Sequence, residues 1–266
     1  MFESLQRVGA LVEIGIKNSL AYKLDYLFSF GFRIVFALLM LFVWSAVYTS
    51  SHTGSIGGFT INQMYAYYFL AGVIYIIMTT EIDQQLQQDI QSGDVTVAMI
   101  RPISYVYQLF FNSFSSNFLY MLGVIPLLAI AAFFVHFSIT PLTVLLLVAE
   151  LLVGFMIANL FDFIIGSLAV YLTQVWGIMV VTYNLQFLLS GGLLPLSLFP
   201  SWASNILLLL PFQMELYTPA ATLLGTMPVA TMVQEILVGA VWAVVLFAIS
   251  ALMWRKMRKG ITAVGG

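Results

Sequence analysis

The chain has 266 residues, of which 62% are hydrophobic and only 8% charged, with a mean hydropathy of +1.03. An ordinary soluble domain carries roughly 25% charged residues, so this composition excludes a water-soluble globular protein and indicates a polytopic membrane protein. The net charge of -2 averages over two membrane faces, and placement says more: no lysine or arginine lies between Arg101 and Arg255, while Arg255, Lys256, Arg258 and Lys259 crowd the last twelve residues. Basic residues collect on the cytosolic side of a membrane. The absence of cysteine removes disulfides, thiolate metal sites and cysteine nucleophiles together.

Taken in chain order, residues 1–24 mix charge with apolar residues, and the pairs Glu3/Arg7 and Glu13/Lys17 stand four apart. That pattern fits an amphipathic interfacial helix on the cytosolic surface rather than a signal peptide. A first span is expected over 26–48, followed by a turn-rich outer loop through Gly54, Gly57 and Gly58 without a basic residue. A second span over 61–79 returns inward and gives way to 80–105, the most polar stretch of the chain, which is too hydrophilic for lipid and belongs in cytosol. Pro102 suits the start of the next helix, and a third span follows over 106–134. His136 to Pro141 form an outer break. The apolar run from Leu142 to Ser190 is long enough for two spans, 142–170 and 177–190, divided by the polar and aromatic residues Tyr171, Thr173, Gln174 and Trp176. Residues 191–228 contain breaks at Gly191, Gly192, Pro195 and Pro200 and again near Pro211, Pro219 and Gly225. The intervening pieces are too short to cross, so they read as outer re-entrant or interfacial helices. A last span over 229–254 delivers the basic tail to the cytosol. The expected fold is all-α: one integral membrane domain, 1–266, of six spans with both termini cytosolic.

The chemistry of an enzyme is missing. No G-x-x-x-x-G-K-[ST] phosphate loop is present, and the two histidines, His52 and His136, fall in outer loops without metal-ligand spacing. Neither is placed to serve a serine nucleophile. No metal and no cofactor are expected on this chain, and no nucleic-acid partner. Charges inside spans are the more specific signal, since each costs roughly 2.5 to 3.5 kcal/mol to insert. These are Arg33, Glu150, Asp162 and Glu235. Arg33 and Asp162 lie at similar depth with opposite sign, which makes them a structural ion-pair candidate. Glu150 lies near mid-depth without an obvious cation and is a candidate for a translocation path, as are Tyr183, Gln186 and Ser190 on one face of the fifth span. An unpaired Glu150 hints at a cationic cargo, and Tyr65, Tyr67, Tyr68 and Tyr75 offer an aromatic lining that suits a glycan.

The order of these features resembles the permease subunits of ABC-2-type ATP-binding cassette transporters, over essentially the whole chain. The stretches Trp44 to Tyr48, Gly58 with Tyr67 and Tyr68, Ile90 to Asp94, and Met99 to Tyr105 are similar to a prokaryotic branch of that family, often paired with a second permease. The resemblance implies that 80–105 holds a coupling helix that docks on a separate ABC ATPase, with Asp89, Gly93, Asp94 and Arg101 as contacts. It implies that ATP and Mg are bound by that ATPase, that a second copy or a paralogous permease completes the path, and that the chain sits in the cytoplasmic (inner) membrane of a prokaryote, contacting its lipids. The implied function is export of an apolar or amphipathic drug, peptide, lipid or glycan. An ion-coupled secondary transporter and a membrane enzyme or assembly factor are the alternatives.

Overall fold

The computed structural model describes residues 23–99, 104–115, 117, 124, 126, 140–172 and 174–264; side chains of 23–34, 37 and 259–264 are not described. The interfacial helix expected over 1–24, most of the span expected over 106–134 and Arg101 lie outside these residues. The described chain is helical throughout, without a strand; one isolated antiparallel bridge joins Ile56 and Phe59.

Helix α1 covers Lys23–Ser51 and α2 covers Ile61–Met78. A capping box starts α2: the Gln63 N–H donates to the Thr60 hydroxyl, and the Thr60 N–H donates to Gln63 Oε1. The polar α3, Ile82–Ser92, follows, and α4 is the short Asp94–Met99. Between them Gly93 takes φ +82°, the left-handed cap that a side chain would strain. Residues 105–115 are helical. Helix α5, Pro141–Ser167, begins with Pro141 behind a Thr140/Thr143 capping box and runs into a 3₁₀ turn at Leu168–Val170. Beyond that turn, α6 occupies Trp176–Leu189.

The segment beyond α6 is broken repeatedly. It comprises a 3₁₀ turn at Leu196–Leu198, α7 at Ser201–Leu207, a second 3₁₀ turn at Pro211–Met214, and α8 at Tyr217–Leu223. The pieces Ser201–Leu207 and Pro211–Leu223 meet at 75°. Pro200 and Pro211 lack a backbone donor and cannot continue a preceding helix, and Gly225 turns left-handed after α8, so no piece grows long enough to cross. Helix α9, Val229–Val264, then runs unbroken for 36 residues.

Among the described residues, three helical stretches are long and apolar enough to cross a membrane: Ile61–Ser92, Pro141–Val170 and Val229–Arg258, with a fourth if the bent pair counts as one span. The apolar part of α1, Leu38–Ser51, and α6 are shorter. Helix α9 leaves Leu237, Val241, Val244 and Phe247 exposed along one side, and α5 leaves Leu145 and Leu152 exposed. Apolar faces of this extent are stable against lipid tails and not against water.

The hub is α5, which packs on α9, on α3 and on the Pro211–Met214 turn. That turn reaches the hub because two helices present glycine to it. A Cβ at Gly154 of α5 would run into the Met214 carbonyl, and one at Gly239 of α9 would lie 2.8 Å from the Met214 side chain. The chain therefore sinks a 3₁₀ turn between its two most apolar spans, where every backbone polar group needs a protein partner.

Candidate functional site

Two polar regions stand out, one projecting and one buried. At ~1.5 Å per residue, the 32 residues of Ile61–Ser92 reach ~48 Å, well beyond a hydrocarbon core of ~30 Å. The excess is the polar helix α3, so α3 and α4 form a corner outside the apolar layer.

One side of this corner is anchored. Ile82, Leu86, Val95 and Ala98 pack with Tyr105, Phe163 of α5 and Met257 of α9. The Tyr105 ring stacks on Trp254 of α9 at 5.8 Å, and the Arg258 guanidinium lies 5.9 Å from the Trp254 ring centre. The other side faces outward: Gln84, Gln85, Gln88, Gln91, Ser92, Gly93, Asp94 and Thr96 are exposed, and Val97 is 57% exposed. The expected contact residues divide between these sides. Asp94 opens α4 and accepts from the Ser92 hydroxyl at 2.7 Å, so it stays on the outward face with Gly93. Asp89 turns inward and accepts from the Tyr105 hydroxyl at 2.6 Å. Burial pushes the Asp89 carboxyl above its usual range, opposed by the Tyr105 hydrogen bond and reinforced by the Asp94 charge. Burial, then the hydrogen bond to Asp89, pushes the Tyr105 phenol well above its own.

The buried region lies where the α2–α3 junction, α5, α6 and the broken segment meet. Asp162 of α5 accepts a short hydrogen bond from the Thr80 hydroxyl. Asp83 accepts from the Tyr183 hydroxyl at 2.5 Å and from the Gln84 N–H at 2.8 Å. The Gln84 amide reaches the Tyr183 oxygen at 3.5 Å, which links this group to the exposed corner. Gln186 lies against both Asp162 and Glu215. Glu215 is only 7% exposed, and its Oε1 has no hydrogen-bond partner.

A second buried group fixes the broken segment from its other side. Thr222 of α8 donates to Glu150 of α5 at 2.9 Å, while Glu150 Oε2 has no partner. Gln213 of the deep turn donates to Glu235 of α9 at 2.5 Å and accepts from the Thr218 hydroxyl at 3.2 Å. Tyr67 and Tyr68 of α2 donate to the Gly191 and Leu193 carbonyls at 2.8 and 2.6 Å. The Gly192 N–H closes on the Phe187 carbonyl at 2.8 Å, Pro195 precedes the first 3₁₀ turn, and Pro200 precedes α7.

The four path candidates thus separate. Tyr183 and Gln186 join the Asp83, Asp162 and Glu215 group. Glu150 joins the Glu235 side of the turn. The Ser190 hydroxyl donates to the Phe187 carbonyl at 3.2 Å, and its own carbonyl accepts from the Tyr217 N–H at 2.9 Å. The described partners of Asp162 are Thr80 and Gln186; the Arg33 side chain of the expected ion pair lies outside the described residues. Thr80, Asp83, Gln213 and Glu215 were not singled out from the sequence. A carboxylate at 215, amid apolar residues and far in sequence from any lysine or arginine, is the signal that could have found one of them.

Long apolar helices around a sunken, broken segment define a multi-pass helical membrane protein. A family model described as "ABC-2 family transporter protein" matches residues 34–265, and the chain belongs to that family. It is a member of a class of transporter membrane components. No individually curated protein matches the sequence.

Proposed function

We propose that the chain is the permease subunit of an ATP-driven exporter of the ABC-2 type. Six spans, with both termini cytosolic, form half of a path that a second copy or a paralogous permease completes. A separate ABC ATPase binds ATP and Mg, and the cargo is an apolar or amphipathic molecule leaving the cytoplasmic membrane. The observation that carries this reading is the α3–α4 corner in a chain of this family: its polar face is exposed while its apolar face is clamped to α5 and α9. A helix held rigidly from behind can transmit an external pull to the bundle, whereas a loose loop cannot. ATP-driven closure of two ATPases would draw two such corners together and bias the bundle between two packings.

An ion-coupled carrier would need Asp162 and Glu150 in one cavity. They belong to separate hydrogen-bonded groups, so no observation favours that alternative. Co-purification with the ATPase tests the proposal. Asp94→Lys and Gly93→Pro are expected to abolish association while leaving membrane insertion intact; unchanged association in both removes the coupling role.

A further inference from the structure

Asp83, Asp162 and Glu215 are each more than nine-tenths buried, at 0%, 4% and 7% exposure. They come from three elements and are joined through side chains rather than by chance proximity. Gln186 lies between Asp162 and Glu215, Asp83 and Asp162 are near enough to interact electrostatically, and Tyr183 sits beside both aspartates. Every donor described as reaching them is neutral: two hydroxyls, an amide side chain and a backbone N–H. Neutral donors satisfy lone pairs but do not balance charge, so in a medium of low dielectric these carboxyls stay ionised together only when a positive group joins them. One acceptor, Glu215 Oε1, is left open among them.

What complements this site is a positive group that also donates a hydrogen bond. A metal ion fits poorly, since no three carboxylates or histidines among the described residues converge on one point at ligand distance. Ammonium and guanidinium groups fit the separated acceptors, because their N–H bonds fan out toward several oxygens. The exposed Gln84 hydrogen-bonds to Tyr183 and so connects this group to the surface of the protein.

We propose that Asp83, Asp162 and Glu215 form a recognition site for a hydrogen-bond-donating organic cation, an ammonium or guanidinium group carried by the cargo. The inference rests on the permease reading for its place in a transport path. It moves the cation-binding role away from Glu150, which the hydroxyl of Thr222 and the packing of the broken segment hold on the other side of the turn.

The test uses the full-length permease in lipid nanodiscs without any ATPase, so its outcome is separate from that of the association experiment. Methylguanidinium is the probe, read as a thermal shift, with tetramethylammonium and potassium at equal ionic strength as controls. The expected result is stabilisation by methylguanidinium alone, with apparent affinity falling at least about tenfold in Glu215→Gln and in Asp162→Asn, the loss of roughly one charge-assisted hydrogen bond. Glu150→Gln is expected to bind as the wild type does. Tyr183→Phe, which frees an Asp83 oxygen while leaving all three carboxylates in place, is expected to bind at least as tightly and keeps the proposal testable if the carboxylate variants do not fold. Equal stabilisation by tetramethylammonium or potassium, unchanged binding in Glu215→Gln, or loss of binding in Tyr183→Phe overturns the site. Binding that appears only in Arg33→Gln also overturns it, because the cluster would then serve the chain's own arginine.

Discussion

The projecting corner and the sunken segment are both short, interrupted helical runs rich in polar side chains, yet they solve opposite problems. In α3 and α4 the polar residues other than Asp83 and Asp89 face away from the protein and the apolar ones anchor it, as with Gln88 outside and Leu86 inside. Between Pro200 and Gly225 the arrangement is reversed: Gln213, Glu215, Thr218 and Thr222 are buried, while Trp202, Ile206 and Leu209 are exposed. Water can satisfy a polar group on the first region. In the second, partners must come from protein, and α5 and α9 supply Glu150 to Thr222 and Glu235 to Gln213. Carboxylates inside spans, which from sequence alone suggest a path, can therefore serve as fasteners for broken backbone.

Substitutions in the two regions should expose this contrast. The largest effect is expected for Gly154→Val, which drives a branched side chain into the Met214 carbonyl. A loss of about 3 kcal/mol is expected, corresponding to roughly 6 to 12 °C in a thermal melt of the purified permease. Gln213→Leu comes next, leaving the Glu235 carboxylate buried without its donor at a cost of about 2 kcal/mol; Glu235→Leu in the same background should recover part of it. Thr222→Val removes a single hydroxyl from Glu150 and should cost about 1 kcal/mol. On the corner, Gln88→Ala is expected to stay within about 0.5 kcal/mol of the wild type. A melt in which Gln88→Ala costs as much as Gln213→Leu would erase the distinction between the regions.

The smallest effect is a slope. Because burial raises the Asp89 carboxyl in the folded state, the folded protein holds that proton more tightly than the unfolded chain does. The stability linked to it is fully present below the ordinary aspartate value of about 4 and is lost as pH rises through the raised one. Asp89→Asn should flatten melting temperature against pH just above that value. Tyr105→Phe should steepen it, since the Tyr105 hydroxyl is what restrains the shift. Equal slopes in all three proteins would show that Asp89 does not report on the corner.

The membrane class, the helical fold and the family were legible in the chain, because hydropathy, the cation-free stretch and the order of polar breaks are linear properties. The break between α5 and α6 was legible for the same reason, in the polar residues that interrupt an apolar run. The candidate site was not. Asp83 read as one more polar residue of the cytosolic stretch 80–105, and Glu215 as part of the outer re-entrant segment 191–228, since nothing linear says that a four-residue turn is drawn between glycines on two other helices. Asp89 shows the same limit in reverse, a residue that looked free to meet a partner and is bonded to Tyr105.

Sequence by itself determined which stretches avoid water and where the backbone cannot remain helical, because burial preference and the geometry of proline and glycine belong to residues taken a few at a time. Only tertiary structure decided which carboxylates share a site. That depends on which helices pack, and Asp83, Asp162 and Glu215 meet across 132 residues of chain because glycines on α5 and α9 let a broken turn come between them.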